Sequence, residues 1–467
     1  MLPLYSALIF PYFFFTSTYR GQNAVMKPCH KSIWGWAMYD WANSAFATTV
    51  MAGFFPLFFK QYWSFGVDAN LSTARLGLAN SGASLLIALM APVLGAMADR
   101  GRARKKFLLG FAYLGVLMTA CLFQVQRGQW GWAVFVYVLG GIGFSGANVF
   151  YDALLPAVAS ERDRDVVSGL GYALGYLGGG LLFLFNVLMT LYPSRFGLAD
   201  ATEAVRYSFL SVALWWGLFA LFTAVWVREE PPGSGQPATG DMGLEGFRQL
   251  ARTVQRIRHL KVVGVFLLAY WCYIDGVDTI IRMAVDYGIS LGFASSDLIS
   301  ALLIVQFVGF PSALAFSKLG QKWGVRRSIC LAVATYMGIT LWGVFMTRPR
   351  EFYALAVMIG LVQGGLQALS RSFYSRLIPE SQSAEFFGFY NMLGRFAAII
   401  GPVLMGVVGL GVRQMLMPPL PTPEQIVHIG RLASRCSIAS VLLLFLCGLV
   451  LLQFVDEEKG REEAKKL

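Results

Sequence analysis

Asp275, Asp278 and Arg282 stand three and four residues apart inside an apolar run long enough to cross a bilayer, so they share one helix face. An ionisable side chain in hydrocarbon costs about 2.5–3.5 kcal/mol on insertion scales, which sends such groups to a partner or a wet cavity. Asp278 and Arg282 form a natural local ion pair, leaving Asp275 for another task. At about 1.5 Å per residue it falls roughly 20 Å from the start of its run, near the midplane. Asp40, with Asn43 and Ser44 on its face, holds the related place in the first apolar run. Desolvation favours a neutral acid and a nearby Arg favours the carboxylate, so a proton can be made to compete with a bound solute. Asp40, Asp275 and Asp278 are therefore the proton-coupling candidates. Acids that serve only as ion-paired packing elements are the alternative; Asp275→Asn separates the two, because only a coupling acid takes pH-driven flux with it. Arg395, deep in another run, needs an acid or an anionic solute such as a carboxylate. Arg371 lies nearer the end of its run and suits a gating pair with Asp152 or Asp99. Tyr39, Tyr176 and Tyr273 can line a cavity, and Asn43, Gln363, Gln367, Arg282 and Arg395 complete the candidate solute-binding set.

These placements require the apolar runs to be membrane spans. The chain has 467 residues, 56% hydrophobic and 14% charged, with a mean hydropathy of +0.58, beyond what a water-exposed globular surface tolerates. Spans are predicted at 33–59, 75–98, 107–126, 130–155, 166–192, 207–227, 262–288, 296–317, 329–347, 351–376, 384–411 and 430–454. A membrane barrel would instead alternate over roughly ten-residue segments. The net charge of +12 raises the question of nucleic acid, but most of the basic residues lie between spans, so no nucleic-acid partner is expected. His30, His259 and His428 fall outside the spans and the six Cys form no C-x-x-C pair, so no metal, disulfide framework or cofactor is implied. Gly141, Gly143 and Gly146 match G-x-G-x-x-G, yet no strand precedes them; close helix packing explains them better.

A polar stretch opening Arg228-Glu229-Glu230-Pro231-Pro232-Gly233 divides the spans into two sets of six. The expected organisation is an extension at 1–32, a six-helix bundle at 33–227, a linker at 228–261, a second bundle at 262–455 and a charged tail at 456–467. From Leu244 the linker is amphipathic and should lie on the membrane surface. Phe150-Tyr151-Asp152-Ala153-Leu154-Leu155-Pro156 ends span four and Phe373-Tyr374-Ser375-Arg376-Leu377-Ile378-Pro379 ends span ten, while Gly169 and Gly175 recur as Gly388 and Gly394. Two parallel six-span repeats follow. The even-numbered connections, tails and linker hold 24 Lys and Arg against 7 in the odd-numbered ones, which predicts both termini in the cytoplasm. Met1 to Phe15 fits no element of this plan, and Met26-Lys27-Pro28 offers an alternative start that intact mass would test.

Gly95-Ala-Met-Ala-Asp99-Arg100-Gly101-Arg102-Ala-Arg104-Lys105 resembles the G-x-x-x-D-R-x-G-R-R-K loop of the major facilitator superfamily, one residue short before its glycine. Asp99, Arg100 and Arg102 are gating candidates on this ground, with Asp152 and Arg371. The counterpart after span eight has Gln321 where the acid would stand, so only the first half keeps the charged latch. Trp36-Ala-Met-Tyr39-Asp40-Trp41-Ala42-Asn43-Ser44-Ala45 resembles the opening of the vacuole-effluxer-like branch of that superfamily. The likeness continues through Gly175-Tyr176-Leu177-Gly178-Gly179, Tyr273-Ile274-Asp275-Gly276-Val277-Asp278, Gln363-Gly364-Gly365-Leu366-Gln367 and Phe386-Phe387-Gly388-Phe389-Tyr390.

The resemblance implies an all-α fold of twelve transmembrane helices and a proton-linked or gradient-driven exporter of small solutes. Its fungal members are associated with release of amino acids from the vacuole. The expected partners are a small solute, protons and the lipid bilayer; a monomer in the cell membrane is expected, with the vacuolar membrane as the alternative. A transporter-like sensor that binds without flux is a second reading, since fold does not fix function. An enzyme is not expected, because the chain carries no His cluster and no convincing nucleophile constellation.

Overall fold

The computed structural model describes residues 30–65, 85–87, 90–99, 103–229, 260–290, 295–346, 348–419 and 422–465. The extension at 1–29, the amphipathic part of the linker, Arg100 and Arg102, and the side chains of Arg282 and Arg395 lie outside these described residues. With no water in hydrocarbon to satisfy backbone groups, each apolar run closes its own hydrogen bonds as a helix. The chain runs as α1 (His30–Ala45), α2 (Leu85–Asp99), α3 (Arg104–Leu122), α4 (Trp130–Ala153), α5 (Arg164–Leu191) and α6 (Ala201–Trp226). It continues as α7 (Lys261–Ser290), α8 (Ser295–Trp323), α9 (Val325–Phe345), α10 (Pro349–Leu377), α11 (Ser383–Leu416) and α12 (Pro423–Ser440 with Leu442–Gln453). A charged helix, α13 (Glu457–Lys465), closes the described chain.

Nine of these helices are long and apolar enough to cross a membrane among the described residues. Apart from the short charged α13, the other three fall short for physical reasons. Beyond Ala45, α1 widens into a π-helical stretch, Phe46–Phe54, then Phe55–Phe58 and a second π-helical stretch, Phe59–Trp63. Only part of α2 is described, and α11 carries Pro402 within it, so its apolar portion is the shorter Ile400–Leu416.

The packing has the same plan twice. In the first half α1 lies against α5 and α6, and α3 against α4 and α6; in the second α7 lies against α11 and α12, and α9 against α10 and α12. The halves meet where α5 packs on α8 and α10, and where α11 packs on α4. Repeated glycines sit at contacts between the halves. A β-carbon on Gly169 of α5 would strike Ser317 of α8, and one on its repeat mate Gly388 of α11 would come within 2.6 Å of Pro92 in α2. The two copies of the Phe-Tyr repeat end α4 and α10 alike: Phe150, Tyr151, Phe373 and Tyr374 are all buried. Tyr151 stacks on Trp36 of α1 at 4.3 Å, while Tyr374 stacks on Phe266 of α7 at 6.0 Å. This is the twelve-helix, two-repeat architecture expected from the sequence.

Candidate functional site

Between the halves lies a cavity of about 670 Å³, within the size range of small-molecule sites. Spans one, four, five, seven, ten and eleven are the expected walls; α8, α9 and α12 contribute as well, through Gln306, Thr340 and Ile438. The π-helical stretch of α1 presents Ala47, Thr48, Met51 and Ala52 to it, in keeping with the frequent use of such widened turns at functional sites.

Arg371 forms the floor. From α10 it crosses to the other half, donating from Nη1 to Asp152 Oδ1 at 3.1 Å, from Nε to Ser168 Oγ at 2.9 Å and from Nη2 to the Ser168 carbonyl at 2.9 Å. The same Nη1 is 3.7 Å from Asp40 Oδ2. Its guanidinium lies over the rings of Tyr172, Trp36 and Tyr151, at 4.3, 4.8 and 5.1 Å from their centroids. Tyr151 donates to Asp40 Oδ2 at 2.9 Å, and Trp36 Nε1 donates to the Tyr151 carbonyl at 2.8 Å. Asn391 of α11 donates to the second oxygen of Asp152 at 3.1 Å. One buried cation of the C-terminal half is therefore held by two acids of the N-terminal half, a bond that must be broken if the halves are to part here.

Above this floor the walls carry amides, tyrosines and one more acid within a larger apolar lining that includes Met51, Phe144, Ile274, Leu302 and Val305. Asn43 donates to Asn148 Oδ1 at 2.6 Å, and Gln306 of α8 bonds Thr48 of α1 across the halves. Tyr270 and Tyr390 stack at 4.1 Å. Asp278, Gln363, Gln367 and Tyr176 also line the space, which reaches Met346 and Phe352 at the far ends of α9 and α10.

Beneath the floor the bundle is shut by a second layer of polar bridges between halves. Arg376 reaches Asp165 at 2.5 Å, Ser372 donates to Asp165 at 2.6 Å, Arg164 pairs with Glu380, and Ser383 donates to the Ala153 carbonyl at 2.8 Å. Asp99 accepts from the first-turn amides of α11, Ala384 N at 3.1 Å and Glu385 N at 2.8 Å, while Arg104 holds it at 2.6 Å. A carboxylate at a helix N-terminus satisfies orphan donors and opposes the helix dipole.

Several sequence expectations are placed differently. Asp275, expected on the cavity wall, turns away from it: its Oδ1 accepts from Gly401 N at 2.9 Å and from Thr279 Oγ1 at 3.3 Å, at the α7–α11 contact. Pro402 disrupts the local helical hydrogen bonding of α11, and the Asp275 carboxylate takes up the neighbouring amide. Asp278, one turn on, is the α7 acid that lines the cavity. Tyr39 and Tyr273 are fully buried behind the wall, Tyr39 against Tyr151 at 5.2 Å and Tyr273 in a 2.7 Å hydrogen bond with Ser370. Arg371 meets Asp152, as one of its two candidate partners, and not Asp99. His428, placed outside the spans by sequence, lies within the Glu424–Gln453 candidate span and is exposed. The sequence alone assigns no role to Tyr151, Tyr172, Asn148, Asn391 or Ser168; Tyr151 lies within the Phe-Tyr repeat, which is the available signal.

Two six-helix halves that meet around a central cavity make up the architecture of the major facilitator type. A family model described as "Vacuole effluxer Atg22 like" matches residues 69–410, and the chain belongs to that family. It is 35% identical over 446 residues to the uncharacterized MFS-type transporter YxiO of Bacillus subtilis (strain 168), covering 95% of this chain and 99% of that one. Autophagy-related protein 22 of Coccidioides immitis (strain RS) is 23% identical, with 94% and 88% covered. Among solved structures, the human organic anion transporter MFSD10 (TETRAN) superposes with a TM-score of 0.67 at 15% identity, over 92% of this chain and all of that one, a likeness of fold.

Proposed function

We propose that the chain is a proton-coupled exporter of small solutes, amino acids among them, that works by alternating access, with its basic loops and both termini in the cytoplasm. The observation that carries this reading is the Arg371 clasp, because it joins the halves, forms the cavity floor and includes acids that a proton can neutralise. Protonation of Asp40 removes one of the two negative partners of Arg371 and loosens the floor; its deprotonation restores the clasp. Solute in the cavity above couples to this cycle by occupying the amide and tyrosine walls, with Asp278 offered to an ammonium group. Arg395, four residues beyond Asn391 along α11, is assigned from sequence to a solute carboxylate. The basic loops adjoin the shut end, so the cavity in this structure faces away from the cytoplasm.

Flux into proteoliposomes, measured across a panel of amino acids and small organic solutes with and without a pH gradient, tests the proposal. Gradient-driven accumulation is expected for wild type and is lost in Asp40→Asn, which retains solute exchange at equal pH. Undiminished coupling in Asp40→Asn removes Asp40 from the proton path, and solute binding with no flux at all returns the chain to the sensor reading.

A further inference from the structure

Tyr176 projects from α5 of the N-terminal half into a gap between two helices of the other half. A β-carbon on Gly364 of α10 would come within 2.7 Å of Tyr176 Cε2, and one on Gly309 of α8 within 2.9 Å of its Cδ1. Both distances are below 3.0 Å, a separation that real β-carbons essentially never show. The slot that holds this ring exists only because two glycines face it. The ring also lines the cavity, yet only 9% of the residue is exposed, so most of it is withdrawn into the wall. Around it α5, α8 and α10 pack closely, and the ring, as a side chain, can rotate away without moving a helix.

We propose that Tyr176 sets the width of the central cavity, and with it the upper size of solute admitted, and that Gly309 and Gly364 form the socket keeping the ring retracted. The inference rests on the cavity being the solute passage; the geometry itself does not depend on which solute passes. A methyl group at either glycine drives the ring edge into the cavity, whereas removal of the ring opens a recess where the slot now lies.

Thiol chemistry reads this without a known solute. Ser44 lines the cavity against Gly175, the residue before Tyr176, so Ser44→Cys, in a chain whose six native Cys are replaced by Ser, reports access there to methanethiosulfonate reagents of small and large head group. The ratio of the two reaction rates cancels any change in the fraction of molecules open, which affects both reagents alike. Gly364→Ala is expected to lower the large-to-small ratio about tenfold, the discrimination that a methyl-sized change in a pocket can supply. Tyr176→Ala raises the ratio, and adding Gly364→Ala to it changes nothing further. Gly309→Ala carries the same expectation and serves should Gly364→Ala not fold. An unchanged ratio in the glycine variants, or an equal fall with and without the Tyr176 ring, overturns the proposal. Labelling requires no flux, so failure of the transport reading leaves this result standing and failure here leaves the transport reading untouched.

Discussion

At the scale of single residues, the floor shows how a buried cation becomes tolerable. Arg371 is 2% exposed, and its planar fork is met by Asp152 and by both oxygens of Ser168, with Asp40 and three aromatic rings completing the shell. Lys offers one point charge and no fork, so Arg371→Lys should lose the Ser168 contacts and lower the melting temperature of the solubilised protein. Arg371→Met leaves two acids facing each other without their cation, a change expected to destabilise by about 3–5 kcal/mol. Adding Asp152→Asn to Arg371→Met should recover part of that loss; thermal unfolding of the single and double variants measures it, and no recovery would mean that the pair is not the source of the stability. Asp275 makes the opposite point. The sequence places it among the coupling acids; the structure sets it at the α7–α11 contact, hydrogen-bonded to Gly401 and Thr279, and we propose that it holds α11 at its proline. Asp275→Asn keeps a carbonyl oxygen for the Gly401 amide and should leave pH-driven flux near wild type. Asp275→Leu, which removes the acceptor, should destabilise by about 1–3 kcal/mol. Loss of coupling in a well-folded Asp275→Asn would restore the sequence-based expectation.

At the scale of elements, the latch at the shut end is built unequally in the two halves. On one side Asp99 of α2 caps α11, as the loop after span two suggests. On the other, Gln321 of α8 reaches only the Arg162 carbonyl at 3.2 Å. The missing charge is made good by α13. Asp165 of α5 binds Arg376 of α10, Arg376 binds Glu457 of α13 at 3.3 Å, Glu457 binds Arg461 at 2.7 Å, and Arg461 returns to Glu161 of the N-terminal half at 3.0 Å. Gly460 lets α13 sit on Leu377 and Val262, where a β-carbon would be 2.5 and 3.0 Å away. The exposed Arg461–Glu161 link contributes little alone, whereas the half-buried Arg376 ties three elements together. Deleting residues 457–467 should therefore loosen this end. The check is the labelling rate of Ser375→Cys, at a buried position beneath the floor, by an impermeant maleimide added from the tail side. A severalfold rise is expected, and an unchanged rate would show that α13 does not hold the end shut.

At the scale of the whole molecule, the sequence determined a great deal through periodicity and composition alone. Apolar runs with no alternative solvent must become spanning helices, and the Phe-Tyr and glycine repeats require those helices to be packed twice in the same way. Asp40 and Arg371 were legible because a charge within an apolar run has few places to go. A sign for sidedness was legible too, in the basic loops; reaction of Arg127→Cys and Arg162→Cys with an impermeant maleimide, in the same Cys-free background, should occur from opposite faces, and reaction from one face would refute it. What only the tertiary structure decided is which way each charged or aromatic side chain turns. Asp275 and Asp278 share one broad face of α7 but point about 60° apart around its axis, and helix spacing cannot say which of them meets the cavity until α11 is in place. Arg371 had two candidate acids by position along the chain, and the choice of Asp152 over Asp99 depended on how α4 and α10 cross. Tyr176 and its two glycines belong to three helices far apart in sequence. Their contact is a property of the packed halves, because close packing between helices is set by distances that no single helix contains.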